Sequence, residues 1–139
     1  MALSASALHR RSIEAANSRQ FGRARKDLAA ASARTDDADL RARIDGTTAF
    51  ILDQTGEHAA AESLLHELLG RPGLSTNTVA LLRGQLGTLL MHAGRLERAE
   101  EMLSQAIALL GDETTEVANL LMNRSMVLMQ RHDLDGCTA

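Results

Sequence analysis

The residue types that most often carry chemistry are scattered through this sequence without the spacing that a catalytic or metal site needs. The five histidines stand at positions 9, 58, 66, 92 and 132, and no two of them are four residues apart on one helix. Because a zinc site on a single helix needs that spacing, we expect no metal ion. Cys137 follows His132 closely enough to suggest a nucleophile and its base, but a small thiol is equally suited to packing.

Other catalytic patterns are missing from the sequence. It has no glycine-rich phosphate loop and no Gly-x-Ser-x-Gly turn, and the segment from Gly84 to Gly87 falls inside a predicted helix, where glycine permits close packing. The carboxylates between Glu97 and Glu101 have arginines beside them, as in ordinary pairing on a helix surface. We therefore predict that the chain is not an enzyme and binds no cofactor, although a catalytic domain could lie outside it.

Charge and composition narrow the class of partner. The 139 residues include 15 basic and 18 acidic side chains, a net charge of −3, and two aromatic residues, Phe21 and Phe50. A nucleic-acid-binding protein usually has a basic face and aromatic stacking platforms, so we expect no nucleic acid as partner. No apolar run approaches the ~20 residues that span a bilayer, and the first residues lack the order of a secretory signal. We expect no membrane partner and a cytoplasmic location, which the single cysteine fits.

The elements that must position any site are helices. The apolar content, 45% of the chain, is mostly Ala, Leu and Met, and apolar residues recur about every 3.6 positions. Breaks fall at Gly22, Gly56 and Gly94, among other places. The pattern predicts an all-α fold with seven helices, near 5–18, 21–33, 37–54, 57–70, 76–93, 96–110 and 115–131.

The breaks repeat. The segments that begin at Gly56, Gly94 and His132 are separated by 38 residues each time. Alignment on them places small or aliphatic residues in three shared columns: Ala24, Ala61, Ala99 and Cys137; Leu28, Leu65 and Leu103; Ala31, Leu68 and Ala106. Such columns predict close packing of a second helix on a first, repeated along the chain, and they favour a packing role for Cys137.

These units resemble the tetratricopeptide repeat (TPR) family, most clearly in residues 80–113, where the small and large signature positions hold Leu86, Gly87, Leu90, Gly94, Leu96, Ala99, Leu103 and Ala106. The resemblance implies a right-handed α-α superhelix of about seven antiparallel helices. It places the whole of 1–139 in one domain with repeats near 5–41, 42–79 and 80–117 and an incomplete fourth unit, 118–139. The sequence departs from the family pattern in lacking its bulky aromatic residue and in its longer period.

The style of the units is also similar to the N-terminal repeat arrays of bacterial, and in particular actinobacterial, proteins that carry a CHAT protease domain. That similarity implies a recognition arm of a larger protein, or alternatively a regulatory segment of a CHAT-like cysteine protease. The chain has no room for the protease domain itself, so its activity is not implied here. A peptide or small-molecule sensor within a transcription regulator is a further alternative.

The resemblance also implies a binding surface. In the family, five positions of each unit face the concave side, where a protein or peptide binds. The residues of this sequence that we expect to bind a partner there are Arg43, Phe50, Asp53, Gln54, Thr88, Met91, His92, Asn119, Met126, Met129 and Gln130. Methionine is flexible and polarizable, so a methionine-lined groove suits varied apolar partners. Phe50 with Met91 is the stronger pair, since the units around it are complete.

The last helix leaves two interpretations open. Met122, Met126 and Met129 are either a groove for a partner or core that a further helix covers. The helix is apolar around much of its circumference, unlike a capping helix that faces water. We therefore expect either that the sequence is part of a larger protein or that a homodimer covers this end.

We also predict the contacts of three charged residues. Asp45 and Arg83 share a column in neighbouring units, which would allow an ion pair between repeats. Arg11 stands where the family prefers an aliphatic residue, so we expect its stem to pack and its guanidinium to reach solvent.

Overall fold

The fold is all-helical throughout the residues that the structure, a computed structural model, describes. These are residues 3–110 and 115–137, and the side chains of 115, 116, 118 and 133–137 are not described. The helices are α1 (Ala5–Asn17), α2 (Phe21–Ala33), α3 (Ala38–Gln54), α4 (His58–Leu69), α5 (Thr76–His92), α6 (Leu96–Leu110) and α7 (Thr115–Cys137). The predicted all-α class is confirmed, and most helix ends lie within one residue of the predicted positions.

Three helices begin at a side-chain cap that the sequence supplies. Ser4 accepts a hydrogen bond from the backbone N–H of Ala7 at the start of α1, and Ser75 accepts one at the start of α5. Asp37 does the same for α3 through the N–H of Asp39. Each cap satisfies one of the backbone donors that a helix leaves unpaired in its first turn, which fixes where the helix starts.

The first, third and fifth helices each lead into the next through a turn of three residues with one common hydrogen-bond pattern. The last N–H of each turn donates back to a carbonyl five residues earlier: Gln20 to Ala15, Glu57 to Leu52 and Arg95 to Leu90. The middle residue of each turn has a positive φ. So short a turn reverses the chain, and α1–α2, α3–α4 and α5–α6 are three antiparallel hairpins closed in the same way.

The three columns found in the sequence are the buried positions of the second helices. Their exposed fractions are 0% for Ala24, Ala61 and Ala99; 5%, 1% and 0% for Leu28, Leu65 and Leu103; and 0% for Ala31, Leu68 and Ala106. The alanines leave room for a neighbouring helix to approach closely, and the leucines fill the space beside them. The predicted packing role of these columns is confirmed.

The described chain divides between Leu74 and Ser75 into two compact units. In unit 1, which holds α1 to α4, α1 packs on α2 and α3, and α3 packs on α2 and α4. Its core includes Leu8, Leu28, Ile44 and Ile51, each at most 5% exposed. In unit 2, which holds α5 to α7, each helix packs on the other two.

Two predicted breaks are wrong. Gly22 lies inside the first turn of α2, and the residue that reverses the chain is Arg19, with a φ of 61°. The predicted break at His132 does not occur either, because α7 continues to Cys137. That segment lacks the glycine which the turns at Gly56 and Gly94 use to reach a positive φ. The predicted packing of the Cys137 side chain lies outside the described residues.

Candidate functional site

The most unusual surface of the molecule is one side of α7, where large apolar side chains face solvent. We call Leu121, Met122, Met126, Leu128 and Met129 the α7 apolar face. Their exposed fractions are 40%, 59%, 42%, 44% and 67%. Elsewhere in the described chain, exposure of this kind is recorded for Leu3 and Ile13 alone. Single exposed hydrophobic residues are normal on proteins, but a contiguous group on one helix marks a site of interaction.

The opposite side of α7 holds the helix in place. Val117, Leu120 and Val127 are 5%, 8% and 0% exposed. Leu120 lies over Gly84 of α5, where its Cδ2 would come within 2.7 Å of an added Cβ. Because these three buried side chains already anchor α7, the exposed face is a second apolar side of the same helix.

Polar contacts fix the register of α7 in unit 2. Asn123 donates from Nδ2 to the hydroxyl of Thr88 at 3.1 Å, and that hydroxyl donates to the carbonyl of Gly84 at 3.0 Å. Arg131 forms an ion pair with Glu100 of α6. The sequence predicts Thr88 as a partner-binding residue, but its hydroxyl takes part in the packing of α7 on α5.

The remaining predicted site residues of unit 2 differ in accessibility. Asn119, Met126, Met129 and Gln130 of α7 are exposed, and so is His92 at the end of α5. Met91 is only 6% exposed, because it belongs to the packed interior of unit 2. It therefore offers almost no surface to a partner. The exposed apolar residues of the candidate site lie on α7 and not on α5.

The predicted site residues of unit 1 lie on α3 and make contacts within that unit. Phe50 packs against the core of unit 1 and is partly buried. Asp53 accepts a hydrogen bond from Nδ1 of His58 at 2.6 Å, and Gln54 accepts one from Arg19 at 3.4 Å. Arg43 is exposed. These residues share a helix, but they do not form an open apolar surface.

A buried polar contact joins α1 to α3. His9 is 6% exposed, and its Nε2 lies in hydrogen-bond contact with Oγ1 of Thr47 at 2.9 Å. The hydroxyl of Ser12 donates to the carbonyl of His9 at 2.6 Å. Burial, together with the nearby charge of Arg43, lowers the pKa of His9 below its usual value of 6.5. His9 therefore packs between two helices and offers no open surface to a ligand.

The expectation for Arg11 is only half right. Its guanidinium is partly exposed, but it donates through Nε and Nη2 to both carboxylate oxygens of Asp27 on α2, at 2.9 and 2.7 Å. These hydrogen bonds lower the pKa of the buried Asp27 carboxyl. Asp45 is also paired, with Arg71 at 2.9 Å, and Arg71 binds Glu67 as well. The first pair joins α1 to α2, and the second joins α3 to the segment that follows α4.

A shallow pocket of about 250 Å³ lies at one end of the first hairpin. Its lining residues are Arg11, Glu14, Ala15, Ser18, Gln20 and Arg23. The lining mixes both signs of charge, and Arg11 already binds Asp27. The described side chains include no group of three or more histidines, cysteines or carboxylates that could hold a metal ion. None of the described helices has the length and hydropathy to cross a membrane.

Comparison of the chain with known protein families, curated proteins and solved structures finds no significant match. We therefore infer the function from the geometry of the chain itself. Leu121 and Leu128 belong to the α7 apolar face but are not among the predicted site residues, although the sequence contains a signal for them. Each begins a Leu-Met pair, and the two pairs are seven residues apart on one side of a helix.

Proposed function

We propose that this chain is a protein-binding helical repeat module, a TPR-like solenoid, that binds an apolar helix or peptide on the α7 apolar face. The observation that carries the proposal is the exposure of five large apolar side chains on a helix whose opposite side buries Val117, Leu120 and Val127. At their exposed fractions these side chains leave on the order of 500 Å² of apolar surface in water, as large as the largest patch on a typical monomer. Burial of such a surface is a strong driving force for association.

The side chains of the face favour a partner of particular chemistry. Three of the five are methionines, whose flexible thioethers adapt to apolar groups of different shape. Asn119 and Gln130 are exposed near its edges and offer amide groups for hydrogen bonds that would set the register. The guanidinium of Arg131, which is also on α7, is bound to Glu100. The partner that fits is a helix or extended peptide with apolar side chains along one side.

The repeat itself supports a scaffold role. Three hairpins close with the same hydrogen bonds, and three columns of small and aliphatic residues are buried in each of them. Repeated helix pairs suit the display of an extended binding surface. From the resemblance to bacterial repeat arrays we further propose that the module serves as the recognition arm of a larger protein.

A selection experiment tests the proposal. Peptides from a random displayed library are selected on the immobilised chain, and their Kd is measured by fluorescence polarisation. We expect the double substitution Met122→Glu with Met129→Glu to weaken binding by about 30-fold or more, because it removes two apolar contacts at the centre of the face. Circular dichroism should show an intact fold, since both side chains are exposed.

The matched control is Ser63→Glu, which adds a negative charge to an exposed position on α4, outside α7. It should change Kd by less than about 3-fold. Peptides that bind the double variant as tightly as the unmodified chain would exclude the α7 apolar face as the site. Weaker binding after Phe50→Ala, with no effect at α7, would assign the site to α3.

A further inference from the structure

Four of the five side chains of the α7 apolar face are arranged symmetrically about Ser125, and Met126 lies outside this arrangement. Leu121 and Met122 precede Ser125 by four and three residues, and Leu128 and Met129 follow it by three and four. The side chains of Ser125 and of these four apolar residues are all exposed. The same Leu-Met pair thus stands at equal distances on both sides of a small polar residue.

Helix geometry turns this spacing into a symmetric surface. At 3.6 residues per turn, Leu121 and Met129 project about 40° to either side of Ser125, and Met122 and Leu128 about 60°. Ser125 therefore lies on the midline of the face. Its small side chain allows a second helix to approach closely there, between two pairs of larger side chains.

We infer that the partner of the α7 apolar face is a second copy of this chain, whose α7 packs antiparallel about a two-fold axis beside Ser125. This inference rests on the proposed function, because it names the partner of the same face. A two-fold interface requires one patch to be complementary to itself, so that residue i meets residue j and j meets i. About this axis Leu121 of one copy meets Met129 of the other, and Met122 meets Leu128.

The charges on α7 permit this pairing. The face between Leu121 and Met129 presents no charged side chain on its midline, and Arg124 is half-buried at the flank. Arg131 is neutralised by Glu100. His132 is exposed near the far end of the face, and an antiparallel pairing places the two copies of His132 at opposite ends. Among the described side chains of α7, like charges are therefore not brought together.

The area sets the strength of the dimer. Two faces of the size estimated above bury on the order of 1,000 Å² in total, which is at the lower limit of specific interfaces. Obligate dimers bury considerably more. We therefore expect a dimer that dissociates on dilution rather than a permanent one.

Sedimentation equilibrium over a dilution series from about 1 mM to about 1 µM tests the inference. The average mass should rise from one chain to two as concentration increases. Met122→Glu with Met129→Glu should raise the dimer Kd at least about 100-fold. The dimer then loses all four apolar contacts across the axis, and its interface gains four negative charges that repel one another. Ser63→Glu, which adds a negative charge on α4, should leave the Kd within about 3-fold. A chain that stays monomeric throughout, or a dimer that the double substitution leaves intact, overturns the inference.

Cross-linking tests the orientation in a Cys137→Ser background. Ser125→Cys should form a disulfide-linked dimer on mild oxidation, because the axis brings the two positions together. Met122→Cys should not link to itself but should link to Leu128→Cys when the two variants are mixed. Self-linking at 122 with none at 125 overturns the antiparallel arrangement. Peptides bound through α7 by a strictly monomeric chain would overturn this inference alone, whereas a dimer through α7 that binds no peptide would limit the proposed function to self-association.

Discussion

Arg19 occupies the position in the first hairpin turn that Gly56 and Gly94 occupy in the others. Its φ is 61°, against 91° and 78° for the glycines. A non-glycine residue in the left-handed region costs roughly 1 kcal/mol or more. Contacts of its side chain offset that cost, because the guanidinium lies 5.3 Å from the centre of the Phe21 ring and donates to Gln54.

The glycine turns have no such compensation, and Gly94→Ala tests their backbone directly. An added Cβ at Gly94 would meet no atom within 4 Å, so the change acts through φ alone. We expect the free energy of unfolding, measured by urea titration, to fall by about 1 kcal/mol. The control is Gly22→Ala, which is also in open space but has ordinary helical backbone, and which should be neutral or stabilising by up to about 1 kcal/mol. Equal effects at the two positions would contradict the backbone explanation.

At the scale of residues, the sequence predicts the hairpin turns that contain a glycine, but not the turn in which another residue adopts the positive φ. The glycines at 56 and 94 indicate their turns directly. Nothing in the sequence indicates a positive φ at Arg19, so the sequence predicts the first break at Gly22 instead. The pair between Arg11 and Asp27 was missed for a related reason. Its members are 16 residues apart, so only the packing of α1 on α2 brings them together.

The packing of α5 against its two neighbours depends on two glycines in its interior. A Cβ at Gly87 would lie 2.7 and 2.9 Å from side-chain atoms of Leu103 and 3.2 Å from its backbone nitrogen. The three atoms nearest to a Cβ at Gly84 all belong to the side chain of Leu120, and the closest is its terminal Cδ2 at 2.7 Å. The α5–α6 contact therefore has no room to adjust, whereas the α5–α7 contact can yield by rotation of one leucine.

Gly87→Ala and Gly84→Ala should differ accordingly. Alanine gains up to about 1 kcal/mol of helix propensity at either position. At Gly87 the overpacking against Leu103 outweighs this gain, and we expect a net loss of about 1–2 kcal/mol in the free energy of unfolding. At Gly84 the net change should stay within about 1 kcal/mol of zero. Thermal unfolding followed by circular dichroism measures both, and a larger loss at Gly84 would show that α7, not α6, limits the approach to α5.

At the scale of helices, periodicity predicts which side chains share a face but not which faces are covered. It placed the buried columns at Ala24, Leu28 and Ala31 and their equivalents correctly. It grouped Met91 with Met129, although α7 packs over α5 and only Met129 remains exposed. Coverage is decided by the neighbouring helix, and that information is not contained in one helix's sequence.

At the scale of the whole molecule, two buried titratable residues of unit 1 make the stability of the fold depend on pH. His9 is buried between α1 and α3, and Asp27 is buried against Arg11. The pKa of each is lowered by folding: desolvation is the largest cause for His9, and hydrogen bonds from Arg11 for Asp27. As pH falls, the unfolded chain therefore takes up protons at both residues before the folded chain does, which destabilises the fold.

We predict two separate losses of stability on acidification. The first begins as pH falls through 6.5, the usual pKa of histidine, and the second as pH falls through 3.8, the usual pKa of aspartate. Each has a slope of at most about 1.4 kcal/mol per pH unit. Urea titrations from neutral to acid pH measure both, and His9→Gln, which keeps a hydrogen-bonding group near Thr47, should abolish the first while leaving the second. Because the two groups depend on different contacts, Asp27→Asn should abolish only the second loss. A first loss that persists in His9→Gln would assign it to another group and leave His9 as a packing residue only.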